Sequence, residues 1–207
     1  MPFKPEQRQY RSFDAAFTFD AAPEDNQNNN FVVEGYATTF DAPYELYRDT
    51  DGQPVYEAIS STALVGADMS DVIFQLNHEG APLARLRNGS LEVTADPHGL
   101  KVRARLDGSQ EARDLYEAIS NGLIDRMSWG FTVPRDGEEW DAQTRTFTIS
   151  RVDKVFDVSA VSFPANEDTA IHSARSYLDG VIEAGRRESA MCEQEQRRKA
   201  ALKLRLL

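Results

Sequence analysis

The sequence predicts a mainly β domain with a few helices, of the α+β class, followed by a helical C-terminal tail. Three observations carry that expectation. Apolar and polar residues alternate with a period of two through residues 91–106, and strand-like runs return at 127–133, 144–152 and 155–163. Spacings of three and four dominate one stretch of the body, where Ala112, Leu115, Tyr116, Ile119 and Leu123 recur. The composition then changes after His172: residues 173–207 hold eight Lys or Arg against five Asp or Glu, in a chain whose formal charge is −11.

In chain order, apolar and polar residues alternate loosely from Ser12 to Phe19, and the polar run 24–30 predicts a mobile loop. Phe31-Val-Val-Glu-Gly-Tyr-Ala-Thr-Thr-Phe40 is rich in β-branched and aromatic types and predicts a strand; the acidic, Gly- and Pro-containing stretch through Pro54 predicts a long loop. After Val55 to Ile59, the hydroxyls of Ser60, Ser61 and Thr62 can cap a short helix beginning at Ala63, which feeds a buried strand at Val72-Ile-Phe-Gln-Leu76. Leu91, Val93 and Ala95, then Leu100, Val102, Ala104 and Leu106 beyond Pro97-His98-Gly99, describe a hairpin with one wet face. Residues 109–120 predict the clearest helix, stopped by Asn121-Gly122. Residues 134–141 are rich in turn formers. In the tail, Tyr177, Leu178, Val181 and Ile182 fit one helical stripe and residues 197–207 are basic and amphipathic. This divides the chain into an N-terminal strand and loop (1–30), a main domain (31–172) and the basic tail (173–207).

The 207 residues, 41% hydrophobic and 28% charged, fit one globular domain with an appendage. With 34 acidic residues against 23 Lys and Arg, broad attraction to nucleic acid or to an anionic membrane is not expected. The one cysteine, Cys192, excludes an intrachain disulfide and a four-cysteine zinc site, which fits a reducing, intracellular setting. The N-terminus shows no secretory apolar stretch and no run of about 18 apolar residues occurs. The expectation is a soluble protein that is not exported.

Three positions stand out as candidates for chemistry. His78 directly follows the buried run 72–76 and precedes Gly80-Ala81-Pro82, so a titratable ring is expected at a strand end, in front of a turn. His98 sits in a hairpin turn and His172 at the start of the tail, where a solvated turn residue and a capping role are the simpler readings. In residues 127–133, Met127, Trp129, Phe131 and Val133 face one way and Ser128, Gly130 and Thr132 the other. A hydroxyl on a face of small residues can be approached by an extended peptide. Asp157 shares its predicted strand face with Val155, Ser159 and Val161. A carboxylate among apolar neighbours needs a partner, whether an arginine, backbone amides or a histidine ring.

Other chemistries fail on spacing. His78-Glu79 is followed by Gly-Ala-Pro rather than completing a His-Glu-x-x-His helix, and neither a phosphate loop nor a Gly-x-Ser-x-Gly elbow occurs. Asp49-Thr-Asp51-Gly52 resembles a calcium loop, but its glycine comes two residues early and its twelfth position is Ser60, so a surface turn is expected. Cys192 lies among charges with no histidine near it in sequence. No metal and no cofactor are expected.

Phe31–Phe40, Asn77-His78-Glu79, Gly99-Leu100-Lys-Val-Arg-Ala104, Asn121-Gly-Leu, Met127-Ser-Trp-Gly-Phe131 and Asp157-Val-Ser-Ala-Val-Ser-Phe-Pro-Ala-Asn166 occur in that order. Together, over roughly residues 31–172, they resemble the prohead maturation proteases of tailed bacteriophages, of the HK97 type. The resemblance implies an assemblin-like β-barrel surrounded by helices. It also implies a serine endopeptidase, working in the host cytoplasm inside the immature capsid, that cleaves the major capsid protein and its scaffolding segment and also itself. His78 matches the family histidine and Ser128 the serine of the Ser-x-Gly-Phe segment. Asp157 matches a position usually held by Glu or Asp before Val-Ser, where assemblins use a second histidine. By analogy with assemblins, Phe163, Ala165 and Asn166 lie in the candidate oxyanion loop. Self-association in the prohead is expected, and the tail is either a solvated helix closing the domain or a docking segment later removed by self-cleavage. The rival readings are a catalytically silent scaffolding or assembly protein with a protease fold and a small-molecule serine hydrolase of another lineage.

Overall fold

In the computed structural model, the described residues are 7–14, 17–19, 31–162 and 191. Thirteen strands and one α-helix make up the fold over this span. They are β1 (Gln9–Asp14), β2 (Thr18–Phe19), β3 (Val32–Thr39), β4 (Tyr44–Arg48), β5 (Pro54–Ile59), β6 (Ile73–Leu76), β7 (Glu79–Arg85), β8 (Leu91–Ala95), β9 (Gly99–Arg105), α1 (Gln110–Ser120), β10 (Arg126–Thr132), β11 (Glu138–Asp141), β12 (Thr146–Ile149) and β13 (Lys154–Val161). The α+β class is as expected. The strands form three sheets, ordered β1-β10-β13-β6-β7, β11-β12-β5-β4 and β2-β3-β9-β8; among the described residues no closed barrel occurs and α1 is the one α-helix with a described span. The predicted mobile loop 24–30, residues 163–172 and all of the tail but Met191 lie outside the described residues.

The alternating segments behave as their pattern dictates. In β10, Met127, Trp129 and Phe131 enter the main core, with Trp129 stacked on Phe131 at 3.9 Å between ring centroids. The β8–β9 hairpin pairs Leu91 with Ala104 and Val93 with Val102. Helix α1 begins at Ser109, whose hydroxyl accepts from the Ala112 amide at 3.1 Å, and it buries Ala112, Leu115 and Ile119. Gly122 follows at φ +69°, the left-handed conformation that ends a helix at lowest steric cost.

Three expectations are corrected. The stretch 41–54 is not one long loop but contains β4, which pairs antiparallel with β5. Residues 134–141 likewise contain β11, paired with β12. The capped segment after Ser60 does not wind into a helix: Ala63 N–H donates to Ser60 O and Val65 N–H to Thr62 O, so the chain makes successive three-residue turns. Short strands flanked by Asp, Gly and Pro leave too little alternation to be seen, because their stability comes from pairing with distant partners.

Strand β1 ties two sheets together. Its site-facing residues are Tyr10 and Ser12; on its other face Arg11 reaches Glu57 of β5 through two bonds, Nε to Oε1 at 2.5 Å and Nη2 to Oε2 at 2.7 Å. The Tyr44 hydroxyl also donates to Glu57, and Arg11 Nη2 donates to Gln9 Oε1 at 3.2 Å. Glu57 is fully buried, so this bidentate geometry is what makes its charge tolerable. Glu138 shares the neighbourhood. Burial and the negative charge of Glu57, only partly offset by Arg11, push its carboxyl up from 4.5 to about 7.

Because the folded chain holds the Glu138 proton more tightly than the unfolded chain does, the contribution of Glu138 to stability falls as pH rises from about 4.5 to about 7 and then levels off. The loss is on the order of 2–3 kcal/mol. Glu138→Gln should therefore raise the Tm by about 5 °C at pH 8 and leave it unchanged at pH 4. Thermal unfolding at the two pH values checks this, and an equal shift at both would contradict it.

Candidate active site

The five-stranded sheet builds the site from three strands and one turn. Across it, Ser12, Ser128, Ser159 and Gln75 lie in one register row, and Tyr10, Gly130, Asp157 and Ile73 in the next. Adjacent strands thus place Ser128 of β10 diagonally from Asp157 of β13 on one face. His78 arrives from β6 by a two-residue turn: Leu76 pairs with Glu79, and Asn77 and His78 have φ of +53° and +59°.

That turn differs from the sequence expectation. Residues 80–82 belong to β7, and Asn77-His78 are themselves the turn. Tight hairpins with two positive-φ residues favour Asn in the first place and Gly in the second. Asn77 obeys the rule; a histidine at the second position carries the strain of a left-handed backbone. Asn77 is also held by β13, its N–H donating to Ala160 O at 2.9 Å and its Oδ1 accepting from the Ser162 amide at 3.0 Å.

The three candidate residues meet. The His78 ring bonds Asp157 Oδ2 through Nδ1 and lies 2.7 Å from Ser128 Oγ at Nε2. Asp157 and Ser128 are both 0% exposed, and the His78 side chain is 12% exposed. Burial alone would push the Asp157 carboxyl up, but the hydrogen bonds from His78 and Arg8 outweigh it and hold it below the usual carboxylate range. An ionised carboxylate only accepts, so Nδ1 carries the proton and Nε2 presents its lone pair to the serine hydroxyl. An imidazole so oriented can take the proton of Ser128 as its oxygen attacks an electrophile.

Two features about Asp157 were not read from the sequence. A bulge lies between Gly130 and Phe131: Gly130 pairs with Asp157 and Phe131 with Val155, leaving Phe156 as the extra residue. Val155 therefore packs in the main core, whereas simple alternation would place it on the face of Asp157. Gly130 is required by space rather than by its backbone angle. A Cβ there would collide with Asp157 Oδ1 and lie 2.9 Å from Arg8 Nε and 3.0 Å from Tyr10 Cε1. The carboxylate also accepts from Ser159 Oγ at 2.9 Å and from Arg8 Nη2. The sequence left arginine, amide and histidine open as partners, and Asp157 has both an arginine and the histidine.

The remaining candidates fall elsewhere. The amides of His98 and Gly99 donate to Asp96 Oδ1 at 2.8 and 3.0 Å, so His98 is a turn residue with its ring edge-on to Tyr36. Asp49 Oδ1 accepts from the amides of Asp51 and Gln53 while Oδ2 binds Arg145 at 2.6 Å, so this loop is a self-satisfied turn. Phe163, Ala165, Asn166, His172 and Cys192 lie outside the described residues. Among the described residues no group of three or more His, Cys, Asp or Glu is arranged to hold a metal, and no helix is long and apolar enough to cross a membrane.

Comparison with known proteins supplies the family. The "Prohead protease" of Enterobacteria phage HK97 is 30% identical over 151 residues, 72% of this chain and 62% of that protein. The "Prohead protease" of Escherichia phage T5 is 25% identical over 154 residues, 73% of this chain and 68% of that protein. The chain thus spans less than two thirds of the length of its HK97 relative. No solved structure matches it. The family model described as "Caudovirus prohead serine protease" matches residues 18–181, and on that match the chain belongs to the caudovirus prohead serine protease family.

Proposed function

We propose that this chain is a serine endopeptidase of phage capsid maturation that cleaves capsid precursor protein, including its scaffolding segment, inside the immature capsid. The observation that carries the reading is the single imidazole bonded at one nitrogen to the Ser128 hydroxyl and at the other to the buried Asp157 carboxylate. Ser128 acts as nucleophile, His78 as general base and then general acid, and Asp157 as the acid that fixes the ring and stabilises the imidazolium. In the first half-reaction, the Ser128 oxygen bonds to the scissile carbonyl carbon and its proton passes to His78 Nε2. The tetrahedral adduct collapses to an acyl-enzyme as His78 protonates the leaving amine, and water then repeats the sequence to release the carboxylic acid. No cofactor enters these steps.

Strand β10 is paired on both edges, with β1 and β13, so a substrate peptide reaches Ser128 across the sheet face rather than by adding a strand beside it. This qualifies the open approach inferred from small neighbours alone. Residues 163, 165 and 166, immediately beyond Ser162, are proposed to supply oxyanion donors. The assemblin-like barrel, the division at residues 30 and 172, self-association in the prohead, and docking and self-removal of the basic tail belong to the same proposal. A catalytically silent scaffolding protein is disfavoured because it would have no use for the aligned Ser128–His78–Asp157 contacts.

Co-expressed with the capsid protein of the same phage, the wild type should shorten it at a defined site and Ser128→Ala should not. Equal shortening by the variant would remove Ser128 as nucleophile. Asp157→Asn should lower turnover on the order of 10³- to 10⁴-fold with the fold retained, since an amide favours the wrong imidazole tautomer. Gly130→Ala should lower kcat, because the new methyl must displace Asp157 or Arg8; purified variants compared at equal thermal stability check both, and wild-type rates would contradict them.

A further inference from the structure

Ser128, His78 and Asp157 leave one charge at the site unused. Arg8 lies just ahead of β1, outside residues 18–181 that the family match covers, and its Nη2 donates to Asp157 Oδ1. Its guanidinium carbon sits 4.9 Å from the Phe156 ring centroid and 5.2 Å from that of Tyr10. Tyr10 in turn lies against His78, with ring centroids 4.3 Å apart. Phe156 is the bulged residue of β13, and Gly130 provides the space through which Arg8 reaches the carboxylate. Backbone irregularity, missing side chain and aromatic walls converge on one ion pair.

The chemistry explains what that pair does. A fully buried carboxylate without a counter-charge is pushed toward taking up a proton or toward holding its histidine partner as a cation. Either outcome removes the base, since a protonated acid no longer orients the ring and an imidazolium cannot accept the serine proton. A permanently charged guanidinium avoids both. Asp157 Oδ1 is held by Arg8, while Oδ2 accepts from His78 Nδ1 and Ser159 Oγ, so neither oxygen can turn away from the ring.

We propose that Arg8 is a positioning residue of this active site, the counter-ion that holds the Asp157 carboxylate aligned with the His78 ring. This rests on the serine peptidase reading above and deepens it. The N-terminal segment thereby belongs to the catalytic apparatus. It is anchored for that task by Arg11, three residues on, whose bidentate bond to Glu57 fixes the opposite face of the same strand.

The test is steady-state hydrolysis of p-nitrophenyl acetate by the full chain in wild-type, Arg8→Met, Arg8→Ala, Arg8→Lys and Ser128→Ala forms. Methionine keeps an unbranched stem between the two rings and removes the charge. Arg8→Met and Arg8→Ala should lower kcat about 10- to 100-fold, the rate equivalent of one charge-assisted hydrogen bond, with KM nearly unchanged. Arg8→Lys should recover part of the loss, and added guanidinium should raise the rate of Arg8→Ala but not that of Ser128→Ala. Wild-type kcat in the Arg8 variants, beside an inactive Ser128→Ala, overturns the role of Arg8 and leaves the peptidase reading standing. Loss of kcat that neither lysine nor guanidinium restores assigns Arg8 to holding β1 in place and also overturns the inference. Full activity of Ser128→Ala overturns the underlying reading itself.

Discussion

The structure turns on one buried carboxylate. Asp157 has no solvent exposure, and every neighbour that could compromise its charge is instead arranged to support it: His78 and Ser159 on one oxygen, Arg8 on the other. An ion in a dry site is tolerable only when its hydrogen-bonding capacity is filled and its charge is countered. Filling that capacity here also fixes the imidazole tautomer, and the fixed tautomer is what aims a lone pair at Ser128. Stability and chemistry therefore place the same demand on these atoms, and three departures from regular structure lie around them. They include a histidine where a tight turn favours glycine, a bulge at Phe156, and a glycine at 130 where a side chain would collide with the ion pair.

Much of this was legible in the residues, for a reason that also marks its limit. Strands β8, β9 and β10 and helix α1 follow periodicities that a single segment carries, so Ser128 could be assigned to the face opposite Trp129 and Phe131. A strand ending near His78 and a carboxylate at 157 in need of a partner were visible in the same way. What was not visible depends on pairing across the chain. Strands β4 and β11 exist through their neighbours, the Ser60 region forms turns although its caps would suit a helix, and the bulge that turns Val155 into the core is a property of the β10–β13 ladder.

Arg8 is the most instructive omission. A polar residue near the N-terminus gives no local signal, and only the β1–β10 pairing carries it to a carboxylate 149 positions away. The functional site thus depends on the antiparallel pairing that brings the N-terminal strand beside the nucleophile strand, and the Arg11–Glu57 bond ties that arrangement to the second sheet.

The central claim is that the imidazole of His78 activates Ser128. A fluorophosphonate, which bonds covalently to activated serine hydroxyls, tests it most directly when followed by peptide mapping in a mass spectrometer. A single adduct on Ser128 in the wild type, absent in His78→Ala at equal folded fraction, is the predicted result. An adduct on another residue, or labelling of Ser128 at the same rate without the imidazole, would contradict the account.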